Sequence, residues 1–225
     1  MKKHRKIFEQ LESLDFNLLP SQNSIASTGV CFSYGANLNA AVEKYLTVRY
    51  ISRVDGYELM FALNCPTLRR YFNNSKLMTN EVSEAIAHMS RERPNFWYRL
   101  PIRFGSRMNS WSCPAQANEM ERYFSNEIAN FISCEIISID SIDLLLQVYL
   151  KDEAPFEWRF GTSYFARMCE VAYLVAHTGS SYAAAQNLAN QYYPFMVKSD
   201  LYGSKLPRDF YSGLVKSIEM ELSLA

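Results

Sequence analysis

Glycine is scarce in this chain, at 8 of 225 residues. The sequence contains neither GxGxxG nor GxxxxGK[ST]. These are the two glycine-rich patterns whose backbone N–H groups hold phosphates at the start of a helix. A nucleotide-binding loop of either kind is therefore excluded, and we predict no cofactor.

Metal-ligand spacing is also lacking. The three histidines show no HxH or HExxH pattern, and no two cysteines form a CxxC pair, which are the spacings that metal sites use. The five cysteines are Cys31, Cys65, Cys113, Cys134 and Cys169. We predict no metal site, and we expect these thiols to be reduced, as in a cytoplasmic protein.

A catalytic constellation is not visible either. A nucleophilic cysteine would need an imidazole beside it and a third polar group to orient that imidazole. Nothing in the sequence brings Cys31 near His88 or His177. The acidic pairs lie at predicted helix starts, where carboxylates complement the helix dipole. The sequence therefore predicts no catalytic residue, and an enzyme of unknown chemistry is the least supported class.

An excess of either charge is absent. The 23 basic residues equal the 23 acidic ones, whereas a general nucleic-acid binder usually carries a basic excess. No stretch approaches the roughly 18 consecutive apolar residues that a membrane span needs, and no secretion signal follows the basic N-terminus. We therefore expect a soluble cytoplasmic protein without a membrane partner.

Material for a core is abundant, with 48% hydrophobic residues, 15 tyrosines and 14 phenylalanines. Near the N-terminus, apolar residues recur at the spacing of one helix face: Ile7, Phe8, Leu11 and Leu14. The sequence predicts a short amphipathic helix there.

Residues 47–64 predict a β-hairpin. Asp55 and Gly56 suit a two-residue turn, in which both positions need a positive φ. The face with Arg49 and Glu58 is expected to be solvated and structural. The predicted cross-strand pairs are Val54–Tyr57, Arg53–Glu58, Tyr50–Phe61 and Val48–Leu63.

Two further strands follow from alternating patterns, "TGVCFSYG" and "NFWYRLPIRF", the second at a sheet edge because Pro101 lacks an N–H. The remaining apolar periodicity predicts helices. Their predicted limits are a start at Thr79, a start at Pro114, a cap at Asp140, a run from Thr162 to Gly179, a run from Ser181 that Pro194 ends, and a start at Pro207.

These elements predict an α+β fold: a small antiparallel sheet of three or four strands packed with helices, then a helical C-terminal half. We assign residues 1–135 to an α+β domain that contains hairpin 47–64, and residues 136–225 to a helical part. The two parts are expected to pack as one unit.

One segment, "NFWYRLPIRFGSRMNSWSC", gathers large aromatics and arginines. Trp, Tyr and Arg dominate protein-binding hot spots, and the same mixture stacks on single-stranded nucleic acid. Alternatively, the aromatics fill the core while the arginines reach solvent. The predicted partner-binding residues are Trp97, Arg99, Arg103, Arg107 and Trp111.

The order of elements resembles a known family. The helix "FEQLESLDF", a hairpin, the strand "FWY" and the helices "EMERYFSNEIANFIS" and "SIDLLLQVYL" are similar to a bacterial domain family of unknown function. That family is associated with immunity proteins against polymorphic toxins. The resemblance implies a cytoplasmic protein that binds and neutralises a partner protein.

The sequence thus leaves three functional classes open. The first is a protein-interaction module, of which an immunity-type protein is the most specific form. The second is a nucleic-acid-associated accessory protein of a phage-defence or plasmid system, for which "KKHRK" and "RRYF" would supply basic residues. The third is an enzyme.

Overall fold

The computed structural model describes residues 5–19, 24–26, 29–36, 38, 40–51, 56–75, 96–99, 112–114, 122, 129, 132–151, 164–199 and 207–224. The described elements divide between two compact units, a sheet unit and a helical unit.

The sheet unit contains helix α1, seven strands and one π-helix among its described residues. Strands β3 to β6 form a continuous antiparallel sheet in that order, β1 and β2 pair with β3, and β7 pairs with β5. The four-strand path and the helical C-terminal half confirm the predicted α+β class. The elements are α1 (Arg5–Glu12), β1 (Asn17–Leu18), β2 (Ser24–Ala26), β3 (Gly29–Ala36), β4 (Glu43–Ile51), β5 (Gly56–Asn64), β6 (Phe96–Arg99), β7 (Ser112–Pro114) and the π-helix (Ile132–Ile137).

Helix α1 covers one face of this sheet. Ile7 and Leu11 of α1 are buried, and the ring of Phe8 lies 4.7 Å from that of Phe32 and 5.9 Å from that of Tyr34. The predicted N-terminal helix and its apolar face are confirmed. Burying each large apolar side chain stabilises the fold by about 1.5–3 kcal/mol.

The hairpin is confirmed, but its predicted register is wrong. Residues 52–55 separate the paired strands, so Gly56 begins β5 instead of forming a two-residue turn with Asp55. The predicted pair Arg53–Glu58 does not occur, because Glu58 lies opposite Arg49. The observed pairs include Ile51–Gly56, Tyr50–Tyr57, Arg49–Glu58 and Val48–Leu59.

The observed register pairs apolar side chains with each other on the buried face. A two-residue turn would have set Ser52 opposite Leu59, whereas Leu59 now lies opposite Val48, and both of these side chains are buried. The shift is four residues, an even number. Since strand side chains alternate with period two, each residue therefore keeps the face that was predicted for it.

The helical unit contains five described helices: α2 (Pro66–Asn74), α3 (Ile142–Lys151), α4 (Tyr164–Thr178), α5 (Tyr182–Ser199) and α6 (Phe210–Ser223). Residues 167–175 of α4 are all buried. Helices α2, α3, α5 and α6 each pack against α4. A helix that is covered on all sides forms the centre of its unit.

Two helix ends test the capping predictions. Gly179 adopts a φ of +64° and its N–H bonds to the Val175 carbonyl at 2.8 Å, which confirms the predicted end of α4. The predicted cap at Asp140 is displaced by one residue. The Ser141 hydroxyl accepts the Leu144 N–H at 3.3 Å, so Ser141 caps α3.

Two proline predictions are wrong. Pro194 lies inside α5, which continues to Ser199 because the buried Met196 anchors the last turn against the core. Pro114 ends β7 opposite Gly56 instead of beginning a helix, a position that a residue without an N–H can occupy at a strand end. The predicted helix starts at Thr79 and Thr162 lie outside the described residues.

The register predicts a pairwise coupling between Val48 and Leu59. We expect the double-mutant cycle of Val48→Ala and Leu59→Ala to show a coupling of about 0.5–3 kcal/mol, because contacting residues are not additive. The measurement is the free energy of unfolding in urea. The matched cycle of Val48→Ala with Leu63→Ala should be additive, since Leu63 lies opposite Lys44, about 13 Å further along the strand. A coupling of Val48 to Leu63 instead of Leu59 would contradict the observed register and support the predicted one, with its two-residue turn.

Candidate functional site

The predicted partner-binding segment is partly described. Trp97 lies opposite Ala62 and Arg99 opposite Met60 in the β5–β6 ladder, and β6 is the last strand of the described path. Arg103, Arg107 and Trp111 lie outside the described residues. The interaction role of this segment stays a prediction.

The polar face of the hairpin, predicted to be solvated, is half-buried at the described positions of β4, whereas the side chains of Arg53 and Glu58 lie outside the described ones. Glu43, Tyr45 and Arg49 of β4 are each partly covered. The Glu43 carboxylate accepts the Tyr45 hydroxyl at 3.0 Å and the Asn64 amide at 2.6 Å. These side chains satisfy one another across the β4–β5 ladder, which is a structural role.

Lys44 is fully buried on the apolar face of the same strand. Its amine donates to the Val42 carbonyl at 3.0 Å. Burial lowers the pKa of Lys44, and the Asp140 carboxylate partly opposes this effect. A buried lysine with a lowered pKa suits a nucleophile. Here, however, its cross-strand neighbours are Ala36 and Leu63, so the amine lies among apolar groups.

A buried polar cluster links α3 to α4 in the helical unit. The Tyr149 hydroxyl donates to the Glu170 carboxylate at 2.8 Å, and the Arg167 guanidinium donates to the Tyr149 carbonyl at 3.0 Å. Arg167 also lies 5.0 Å from the centre of the Tyr192 ring on α5. Burial, together with Glu170, raises the pKa of Tyr149. The tyrosine therefore stays protonated and acts as a hydrogen-bond donor that fixes α3 on α4.

A second carboxylate ties α2 to α6. Glu221 accepts the hydroxyls of Tyr71 and Ser75, each at 2.6 Å. Burial and the bond to Glu221 raise the pKa of Tyr71. This arrangement stabilises a helix contact, and the raised pKa keeps the Tyr71 hydroxyl protonated.

The Cys169 thiol does not resemble an activated nucleophile. Cys65 and Cys169 are buried, and burial, with the nearby Glu170, raises the pKa of Cys169. Activation of a cysteine requires the opposite shift. Within the described part of the chain, no group of three potential ligands is arranged to hold a metal ion.

Helix α5 presents an exposed surface on which the described side chains, from Ala183 to Val197, are uncharged; Lys198 follows in the last turn of the helix. Its inward stripe is formed by Ala185, Leu188, Ala189, Tyr192 and Met196, all buried. We call the opposite surface the α5 face. Its exposed residues are Ala183, Ala184, Asn187, Asn190, Gln191, Pro194, Phe195 and Val197.

Two features make the α5 face unlike an ordinary solvated helix surface. All eight of its residues are uncharged, although 20% of the chain is Asp, Glu, Lys or Arg. It also ends in Phe195 and Val197, which are 52% and 37% exposed. Depletion of charge together with exposed aromatics is typical of the centre of a protein interface.

The beginning of α5 contacts α3, whose exposed residues include the charged Asp143 and Lys151. The Gln147 amide of α3 donates to the Ser181 hydroxyl at 3.1 Å, just before α5 begins. Leu144, one turn before Gln147, is 44% exposed.

Sequence reasoning did not identify this surface, although a signal for it is present. From Val171 to Val197 the chain contains no Asp, Glu, Lys or Arg. That run includes both the buried α4 and the exposed α5 face, so the sequence pattern alone does not separate core from surface.

Comparison with known proteins adds no relative: no family model, no curated protein and no solved structure matches the chain. The resemblance to an immunity-associated family stays a prediction. Within the described residues, no helix combines the length and apolar character needed to cross a membrane.

Replacing Lys44 by Met should stabilise the protein at pH 7. Because burial lowers the pKa of Lys44 in the folded state, the folded protein binds fewer protons than the unfolded chain as pH rises toward 10.5, and its stability increases. The advantage of Lys44→Met should therefore shrink between pH 7 and pH 10 in urea unfolding. Lys216→Met, at an exposed position of α6, should show no such trend. A Lys44→Met variant that is less stable than the parent at pH 7 would contradict this view.

Removing the Tyr149 hydroxyl should destabilise the helical unit. Tyr149→Phe takes a donor from the buried Glu170 carboxylate, and we expect a loss of about 1–3 kcal/mol in the free energy of unfolding. Tyr182→Phe removes a hydrogen bond to Gln186 at the exposed surface and should change stability by less than about 0.5 kcal/mol. Equal losses for the two variants would show that burial of the cluster is unimportant.

Proposed function

We propose that this chain is a protein-interaction module that acts in the cytoplasm by binding another protein through the α5 face. The observation that carries the proposal is the exposed surface of α5 from Ala183 to Val197, whose described side chains are uncharged and include the exposed Phe195 and Val197. Such a surface gains free energy when a protein covers it, because apolar area leaves water without desolvation of an ion.

The chemistry of the surface favours a protein over a nucleic acid. Binding to a phosphate backbone depends on Lys and Arg side chains that displace counterions. The eight residues of the α5 face include no cation, whereas amides, alanines and an exposed phenylalanine match the apolar and amide groups of a protein surface.

The most specific form of the proposal is an immunity-type protein. In that form the bound protein is a toxin, and the complex blocks the toxin's activity by covering it. The segment that contains Trp97 and Arg99 offers a second contact region for such a partner. This form is supported by the order of sequence elements, and the α5 face supports the broader function of protein binding.

Site-specific photocrosslinking tests the proposal. Phe195 is replaced by the photoreactive residue p-benzoylphenylalanine in the full chain, which is then irradiated inside source cells. We expect a discrete adduct with a protein, identified by mass spectrometry. The same residue at Met220 of α6, which is 62% exposed, serves as the control and should give no discrete adduct. If neither position gives a specific adduct, the α5 face is a solvated surface and the proposal fails.

A further inference from the structure

We draw no further inference here: the strongest candidate, the exposed α5 face from Ala183 to Val197, belongs to the site already described, and nothing in the described part of the chain shows what covers it.

Discussion

Burial of residues 167–175 of α4 on every side is the constraint on which the helical unit depends. A helix without a solvated side needs neighbours all around it, and α2, α3, α5 and α6 each pack against α4. It also needs every polar group that it carries to be bonded inside. Arg167 donates to the carbonyl of Tyr149 and Glu170 accepts from its hydroxyl, so the hydrogen bonds of these two α4 side chains also fix α3.

This constraint determines which side of α5 remains accessible to solvent. The buried stripe of α5 is committed to the core, with Arg167 lying beside the Tyr192 ring. The described side chains on the opposite side, from Ala183 to Val197, then face outward. An outward helix face in a chain of average composition normally carries charges, and the uncharged α5 face departs from this rule. That departure is the physical basis for assigning a binding role to it.

The sheet unit obeys a different constraint, the period-two alternation of its strands. The observed hairpin register differs from the predicted one by four residues. Because four is an even number, the same side chains lie on the buried face in both registers. Asp55 and Gly56 favour a two-residue turn by their local backbone preference. In the observed ladder Leu59 lies opposite the apolar Val48 instead of the polar Ser52, and this cross-strand pair favours the observed register.

The sequence by itself determined the α+β class, the amphipathic N-terminal helix, the existence of the hairpin with its two faces, and the end of α4 at Gly179. Each of these depends on local periodicity or on one residue's backbone preference. Both can be recognised from a short stretch of sequence. Tertiary structure alone decided the hairpin register, the passage of α5 through Pro194 and the exposure of the α5 face. For the register and for Pro194, burial against distant residues outweighs a local preference. For the α5 face, an uncharged run such as Val171 to Val197 does not indicate which of its residues are buried and which are exposed.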